Sequence, residues 1–143
     1  MAFVFLSGAI DLTNKEYQNW KFEVCNQLAK ENIGVIDPAG TFNYVVNGLN
    51  HEEHRETAKS LINVNYHSLM NSDCAIIVLD ENVPSIGTPI ELFLCAQQEI
   101  PHVVVWTGQR KPAYVYGLAE TIVDNIEDAI EYAIETINIK YRR

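Results

Sequence analysis

The run Asp73-Cys74-Ala75-Ile76-Ile77-Val78-Leu79-Asp80 constrains the fold of this chain more than any other segment. Between its two acids every residue is apolar, so polar and apolar side chains do not alternate. A strand of that composition is covered on both faces, which is the condition of strands in parallel sheets flanked by crossover helices. We therefore read it as the central strand.

The rest of the chain alternates strands and helices around it. Val4-Phe5-Leu6 reads as a first buried strand, not an export signal, because no basic segment precedes it and no small-residue cleavage site follows. Asp11-Leu12-Thr13-Asn14 offers caps for an amphipathic helix carrying Tyr17, Trp20, Phe22, Val24, Cys25 and Leu28, stopped by Asn32-Ile33-Gly34. Gly34 to Asp37 is a short second strand, Pro38 to Asn50 a polar loop able to cover a site, and His51 to Met70 a second helix. Glu81 to Gly87 leads into a helix from Thr88 to about Glu99. Val103 to Trp106 is a fourth strand, Pro112 to Gly117 a connector, Thr121 to Val123 a fifth strand, and Ile126 to Ile139 a closing helix. The expected class is α/β: a doubly wound, mostly parallel five-stranded sheet with helices on both faces, Rossmann- or flavodoxin-like, in one domain over residues 1–143.

Charge and cysteine usage narrow the partners. Ten basic against nineteen acidic residues give a net charge of −9, which argues against a nucleic-acid polymer, whose recognition needs clustered Lys and Arg. The basic tail Lys140 to Arg143 is expected to complement the C-terminus of the last helix. No apolar run approaches the ~20 residues of a membrane span, so a soluble protein is expected. Cys25, Cys74 and Cys95 are widely spaced in apolar surroundings, which suits free thiols in a reducing, cytoplasmic compartment.

In an open parallel sheet, ligands bind beyond the C-terminal ends of the strands. Two loops there carry unusual residues. Ser7-Gly8-Ala9-Ile10-Asp11 follows the first strand, where Gly8 would admit a ligand close to the backbone, although the GxGxxG dinucleotide fingerprint is absent. Pro84-Ser85-Ile86-Gly87-Thr88-Pro89-Ile90-Glu91 joins the central strand to a helix and places N–H groups, a hydroxyl and a carboxylate at one mouth. By spacing alone, Thr88-Pro89-Ile90-Glu91 also reads as a capping box, with Thr88 as N-cap and Glu91 reaching back to it. His51-Glu52-Glu53-His54 has its histidines three apart, not four, so the HExxH zinc pattern is not met and no metal site is expected.

Ser85-Ile86-Gly87-x-x-x-Glu91, the strand before it, Ile100-Pro101-His102-Val103-Val104-Val105 after it, and Phe5-Leu6-Ser7-Gly8-Ala9-Ile10 together resemble the nucleoside 2-deoxyribosyltransferase family. The resemblance implies that Glu91 is a nucleophile that attacks the anomeric carbon of a nucleoside, and that no cofactor is required. It also implies a small-molecule nucleoside or nucleotide as substrate, no membrane partner, and a homodimer or larger homo-oligomer.

At single positions the resemblance divides. Ser85 stands where the related nucleoside 5′-monophosphate N-glycosidases hold phosphate with a serine, whereas Ala9 and Asp11 stand where those enzymes carry a second serine and a basic residue. Asn65 replaces an aspartate that meets the sugar and orients the nucleophile; as an amide it still donates and accepts hydrogen bonds but carries no proton. Phe5 and Tyr44 are candidates for base stacking, with core packing the competing role for Phe5. Asp80 and Glu81 are candidates for a sugar or base contact, with solvation of the strand end the competing role. Gly87 belongs to the substrate loop, and Tyr114 and Tyr116 lie in the region that reaches a neighbouring subunit's site in relatives. Asp73, at the opposite end of the central strand, has no expected catalytic part. Three functions are open at this stage: glycosyl transfer or hydrolysis, a catalytically silent nucleotide-sensing module suggested by Asn65 and Ala9, and a flavodoxin-type phosphate-binding domain. For the last, the loop after strand one lacks a Ser/Thr-rich cradle.

Overall fold

The computed structural model describes residues 1–9, 19–38, 51–83 and 85–143, the side chains of 51–53 excepted. The chain runs β1 (Ala2–Gly8), α1 (Asn19–Lys30), β2 (Ile33–Ile36), α2 (His51–Met70), β3 (Cys74–Leu79), α3 (Gly87–Gln97), β4 (His102–Trp106), α4 (Ala113–Leu118), β5 (Thr121–Val123) and α5 (Ile126–Tyr141). All five strands are parallel, in the order β2-β1-β3-β4-β5. The run Cys74–Leu79 occupies the central place, paired with β1 on one side and β4 on the other.

Alternate side chains of the strands feed two cores. Val4, Leu6, Cys74, Ile76, Val103 and Val105 pack with Val24 and Leu28 of α1 and with Ala129, Ala133 and Ile137 of α5. Phe5, Ala75, Ile77 and Val104 pack on the opposite face with Leu69 of α2, Leu92 and Cys95 of α3 and Val115 of α4. Helices on both faces follow from the two-sided burial of β3, and its first four residues, Cys74 to Ile77, are wholly excluded from solvent.

Some boundaries differ from the sequence reading for local reasons. Asn32 ends α1 by taking a left-handed conformation, φ 57°, which an asparagine tolerates. β2 begins one residue before Gly34, at Ile33, and a Cβ on Gly34 would meet the ring of Phe3 at 2.5 Å. The segment read as a connector contains the short helix α4, begun at Pro112 with φ −65°. The expected caps at 11–14, Tyr17 and most of the polar loop 38–50 lie outside the described residues.

Asp73 joins three parts of the chain at the N-terminal end of the sheet. Its carboxylate accepts from the Phe3 backbone N–H at 2.8 Å, from Lys140 Nζ at 2.6 Å and from Tyr141 Oη at 2.6 Å. The basic tail therefore docks on Asp73, and Arg143 also donates to the Glu31 carbonyl; this is more specific than a general interaction with the end of α5. Burial acts to raise the Asp73 pKa, but the hydrogen bonds from Lys140, Tyr141 and Phe3 outweigh it and hold the carboxyl below its ordinary value. A depressed carboxylate stabilises the fold above the unfolded-state pKa, and that contribution is lost as pH falls through the folded-state value. Asp73→Asn is expected to cost about 3 kcal/mol at neutral pH in urea denaturation, and the gap from the parent should narrow on acidification below about pH 4.

Candidate active site

From β1 the chain crosses to β2 on one side, and then returns to β3 on the other, so β1 and β3 flank the topological switch point. Ser7 and Gly8 end β1 beside Ile77 and Val78 of β3. The turn after β3 enters α3 at Gly87, which brings Glu91 to the same mouth.

The start of α3 is not built as a capping box. Ile86 occupies the N-cap without a side-chain cap bond. Ser85 does the capping: its hydroxyl accepts from the Thr88 N–H at 3.2 Å and donates to Thr88 Oγ1 at 2.9 Å. Glu91 is thereby released from reaching back to Thr88. Its side chain leans toward the N-terminus of its helix, with Oε1 3.7 Å from where a Cβ on Gly87 would sit, in the favourable field of the helix dipole.

Glu91 Oε2 is buried and has no hydrogen-bond partner among the described residues, and the same holds for Ser7 Oγ and Trp20 Nε1. Burial pushes the Glu91 carboxyl up to about 7, against the opposing pull of the adjacent Ser7 hydroxyl and the Lys21 charge. The Ser7 hydroxyl favours the charged form without closing a hydrogen bond of ordinary length. Cys95, one turn further along α3, is fully buried and its thiol is pushed up to about 12 by burial, so it offers no nucleophilic thiolate. Buried polar groups in native proteins are nearly always hydrogen-bonded, and orphans grouped at a strand-end mouth are suited to receive a ligand.

Sequence reasoning did not single out Ser7, Lys21 or Asp37, and placed Trp20 only on a helix face. Lys21 shares a helical stripe with Val24 and Leu28, three and seven residues on, and a lysine on an apolar stripe is the signal that was available. It is 7% exposed, and its ammonium meets Asp37 at 2.9 Å. The Trp20 indole lies over Gly8, with Cζ2 2.8 Å from where a Cβ on that glycine would sit. Gly8 thus makes room for Trp20 on the side where a Cβ would stand.

The other expected site residues are dispersed. Phe5 is fully buried among Leu69, Ala75, Ile77 and Leu92, so it is a core residue and presents no face for base stacking. Ala9 is buried, and Asp11 and Tyr44 lie outside the described residues. Asn65 is buried at 8% exposure on α2, a helix covering the same sheet face as α3. Asp80 accepts the Asn82 N–H at 2.8 Å and shapes the turn after β3. Tyr114 and Tyr116 are exposed on α4.

The chain matches no family model and no curated protein. It is similar to solved structures over nearly its whole length. A 2-deoxyribosyltransferase from Bacillus psychrosaccharolyticus superposes with a TM-score of 0.70 at 15% identity, covering 92% of each chain. A 2-deoxyribosyltransferase from Leishmania mexicana gives 0.66 at 15% identity, covering 94% of this chain and 98% of the other. The chain has the 2-deoxyribosyltransferase fold. The CMP N-glycosidase BcmB of Clostridium botulinum shares it at a TM-score of 0.55 and 12% identity, over 96% of this chain and 98% of that one. The five-stranded parallel sheet between two helical layers is the architecture expected from the sequence. Among the described residues no helix is long and apolar enough to cross a membrane.

A carboxyl whose pKa is raised by folding binds its proton more tightly in the native state. Stability is then lost as pH rises from the unfolded value near 4.5 to the folded value near 7. Glu91→Gln removes this penalty, so the variant is expected to be more stable than the parent at pH 8, by at most about 3 kcal/mol. The difference should vanish near pH 4, as followed by urea denaturation.

Proposed function

We propose that this protein cleaves the N-glycosidic bond of a (deoxy)nucleoside or its 5′-monophosphate, with Glu91 as nucleophile. The observation that carries the reading is the Glu91 carboxyl itself. It is desolvated, with Oε2 unpartnered, at the switch-point mouth of a fold shared with 2-deoxyribosyltransferases and a CMP N-glycosidase. A poorly solvated carboxylate is a better nucleophile than a solvated one. It attacks the anomeric carbon, the carbon–nitrogen bond breaks, and its electron pair leaves with the base. The resulting glycosyl ester is then opened by a second base or by water, with overall retention. Ser7 Oγ and Trp20 Nε1 supply unused hydrogen-bonding capacity for the sugar. Ser85 spends its donor on Thr88, so a phosphate contact from it requires that bond to rearrange.

Beside the mouth, Ile86, Ile90 and Phe93 of the α3 segment and Tyr114 and Tyr116 of α4 are exposed, and α3 and α4 are in contact. Such an apolar, aromatic surface suits a homodimer contact next to the site. The free Cys25, Cys74 and Cys95 are in keeping with a cytoplasmic setting. Phe93→Glu is expected to shift the protein to the monomer in sedimentation velocity; an unchanged mass would remove this face from the assembly.

Turnover is tested with a panel of ribo- and deoxynucleosides and their 5′-monophosphates, with and without a second base, following base release by chromatography. Glu91→Ala should lower kcat/KM at least about 1000-fold. Exchange that needs an acceptor base identifies a transferase, and release into water a hydrolase. Nucleotide binding with no release identifies a silent module, for which Asn65 is the distinguishing residue. Attack needs the carboxylate, so kcat/KM should rise with pH through a midpoint near 7.

A further inference from the structure

Beyond the C-terminal ends of β3 and β4 the fold leaves a cavity of about 400 Å³, lined by Glu81, Trp106, Arg110, Lys111 and Pro112. This is the end of the sheet at which open parallel folds take up ligands, and the volume falls in the range of about 300–1,000 Å³ common to small-molecule sites. Ser7, Trp20 and Glu91 do not line it. Trp106, the last residue of β4, is tied down: its Nε1–H donates to the Arg110 carbonyl at 2.9 Å and so fixes the loop that carries the two cations. Within that loop a Cβ on Gly108 would stand 2.4 Å from Trp106 Cζ2 and 2.8 Å from Glu81 Oε2, so the bare glycine lets ring and carboxylate come together. With its donor committed, the indole serves the cavity as an aromatic surface.

The charges around this ring suit a ligand with two unlike ends. Glu81, Arg110 and Lys111 are all exposed, yet among the described residues none of them forms an ion pair, with one another or with any other side chain. A ligand that brings an anion to the cations and an N–H donor to the carboxylate satisfies both. The other basic cluster of the chain is spent on structure, Lys140 on Asp73 and Arg143 on the Glu31 carbonyl. In a chain of net charge −9, Arg110-Lys111 is the cluster left for an anion. We propose that this cavity binds the 5′-monophosphate of an amino-substituted nucleobase: the base stacks on Trp106, its exocyclic amine donates to Glu81, and the phosphate is held by Arg110 and Lys111. A phosphate monoester carries a charge of about −1.5 to −2 at neutral pH, which two adjacent cations match, and a tryptophan ring stacks any base. The inference does not depend on Glu91 being a nucleophile.

The two tryptophans of the chain report on the two places separately, Trp20 on the mouth and Trp106 on the cavity. The indole N–H resonances of ¹⁵N-labelled Glu91→Gln protein, chosen to prevent turnover at the mouth, are followed by NMR with Trp106 assigned by Trp106→Phe. The probes are cytidine 5′-monophosphate, uridine 5′-monophosphate, cytidine and inorganic phosphate. Cytidine 5′-monophosphate should shift the Trp106 resonance saturably, with a Kd at least about tenfold lower than that of cytidine or of uridine 5′-monophosphate. Arg110→Ala with Lys111→Ala should erase the advantage of monophosphate over nucleoside, and Glu81→Gln that of cytosine over uracil. All three side chains are exposed, so the fold tolerates these changes. A Trp106 resonance that stays in place while that of Trp20 moves puts the nucleotide at the mouth alone and overturns the inference. So does the absence of any shift, an equal response to inorganic phosphate, or affinities that the substitutions at Glu81, Arg110 and Lys111 leave unchanged.

Discussion

Burial of β3 on both faces is the constraint from which the rest of the structure follows. A strand of Cys74, Ala75, Ile76, Ile77, Val78 and Leu79 leaves no side for water, so helical layers must cover both faces of the sheet. Right-handed crossovers to both sides of β1 then produce the order β2-β1-β3-β4-β5 and with it a switch point between β1 and β3. Nothing about this requires a particular ligand. It creates a mouth at one end of the sheet, while Asp73 with Phe3, Lys140 and Tyr141 closes the other end with structural bonds.

What makes the mouth chemical is the allocation of hydrogen bonds at the start of α3. Each orphan N–H of a helix start needs an acceptor, and two oxygens were near enough in sequence to serve: Ser85 and Glu91. Ser85 takes the Thr88 N–H, which frees the carboxylate. Glu91 then bears a desolvation cost that folding would avoid if stability alone mattered. Its raised pKa is the measure of that cost, and active sites are where such costs collect.

Legibility in the sequence tracked how local the cause was. The strands showed because burial on one or both faces writes itself into consecutive residues, and α2 and α5 showed because helical patterning is likewise short-range. β4 begins one residue earlier than expected, at His102, since its buried imidazole is satisfied by the Ile100 carbonyl and the Glu120 N–H, partners no local pattern announces. Glu91 was found through a motif, but its surroundings were not. Lys21 pairs with Asp37 sixteen residues away, and Trp20 meets Gly8 from a different element. Both contacts depend on how α1 lies across the ends of β1 and β2, which is tertiary information. Phe5 was left between two roles for a related reason: an aromatic residue near a site reads the same whether its ring faces the ligand or the core, and strand parity decides for the core.

That parity also explains how the site is assembled from two layers. Odd positions of β1 face α2 and α3, so Ser7 is delivered to the Glu91 side, while even positions face α1, so Gly8 is delivered to Trp20 and Lys21. Consecutive residues at one strand end thus serve different helical layers, Ser7 the side of Glu91 and Gly8 that of Trp20. A side chain at position 8 would displace Trp20, which already occupies the space of its Cβ. The glycine that resembles a ligand-binding feature in sequence is, in the fold, the position that lets Trp20 close over the end of β1.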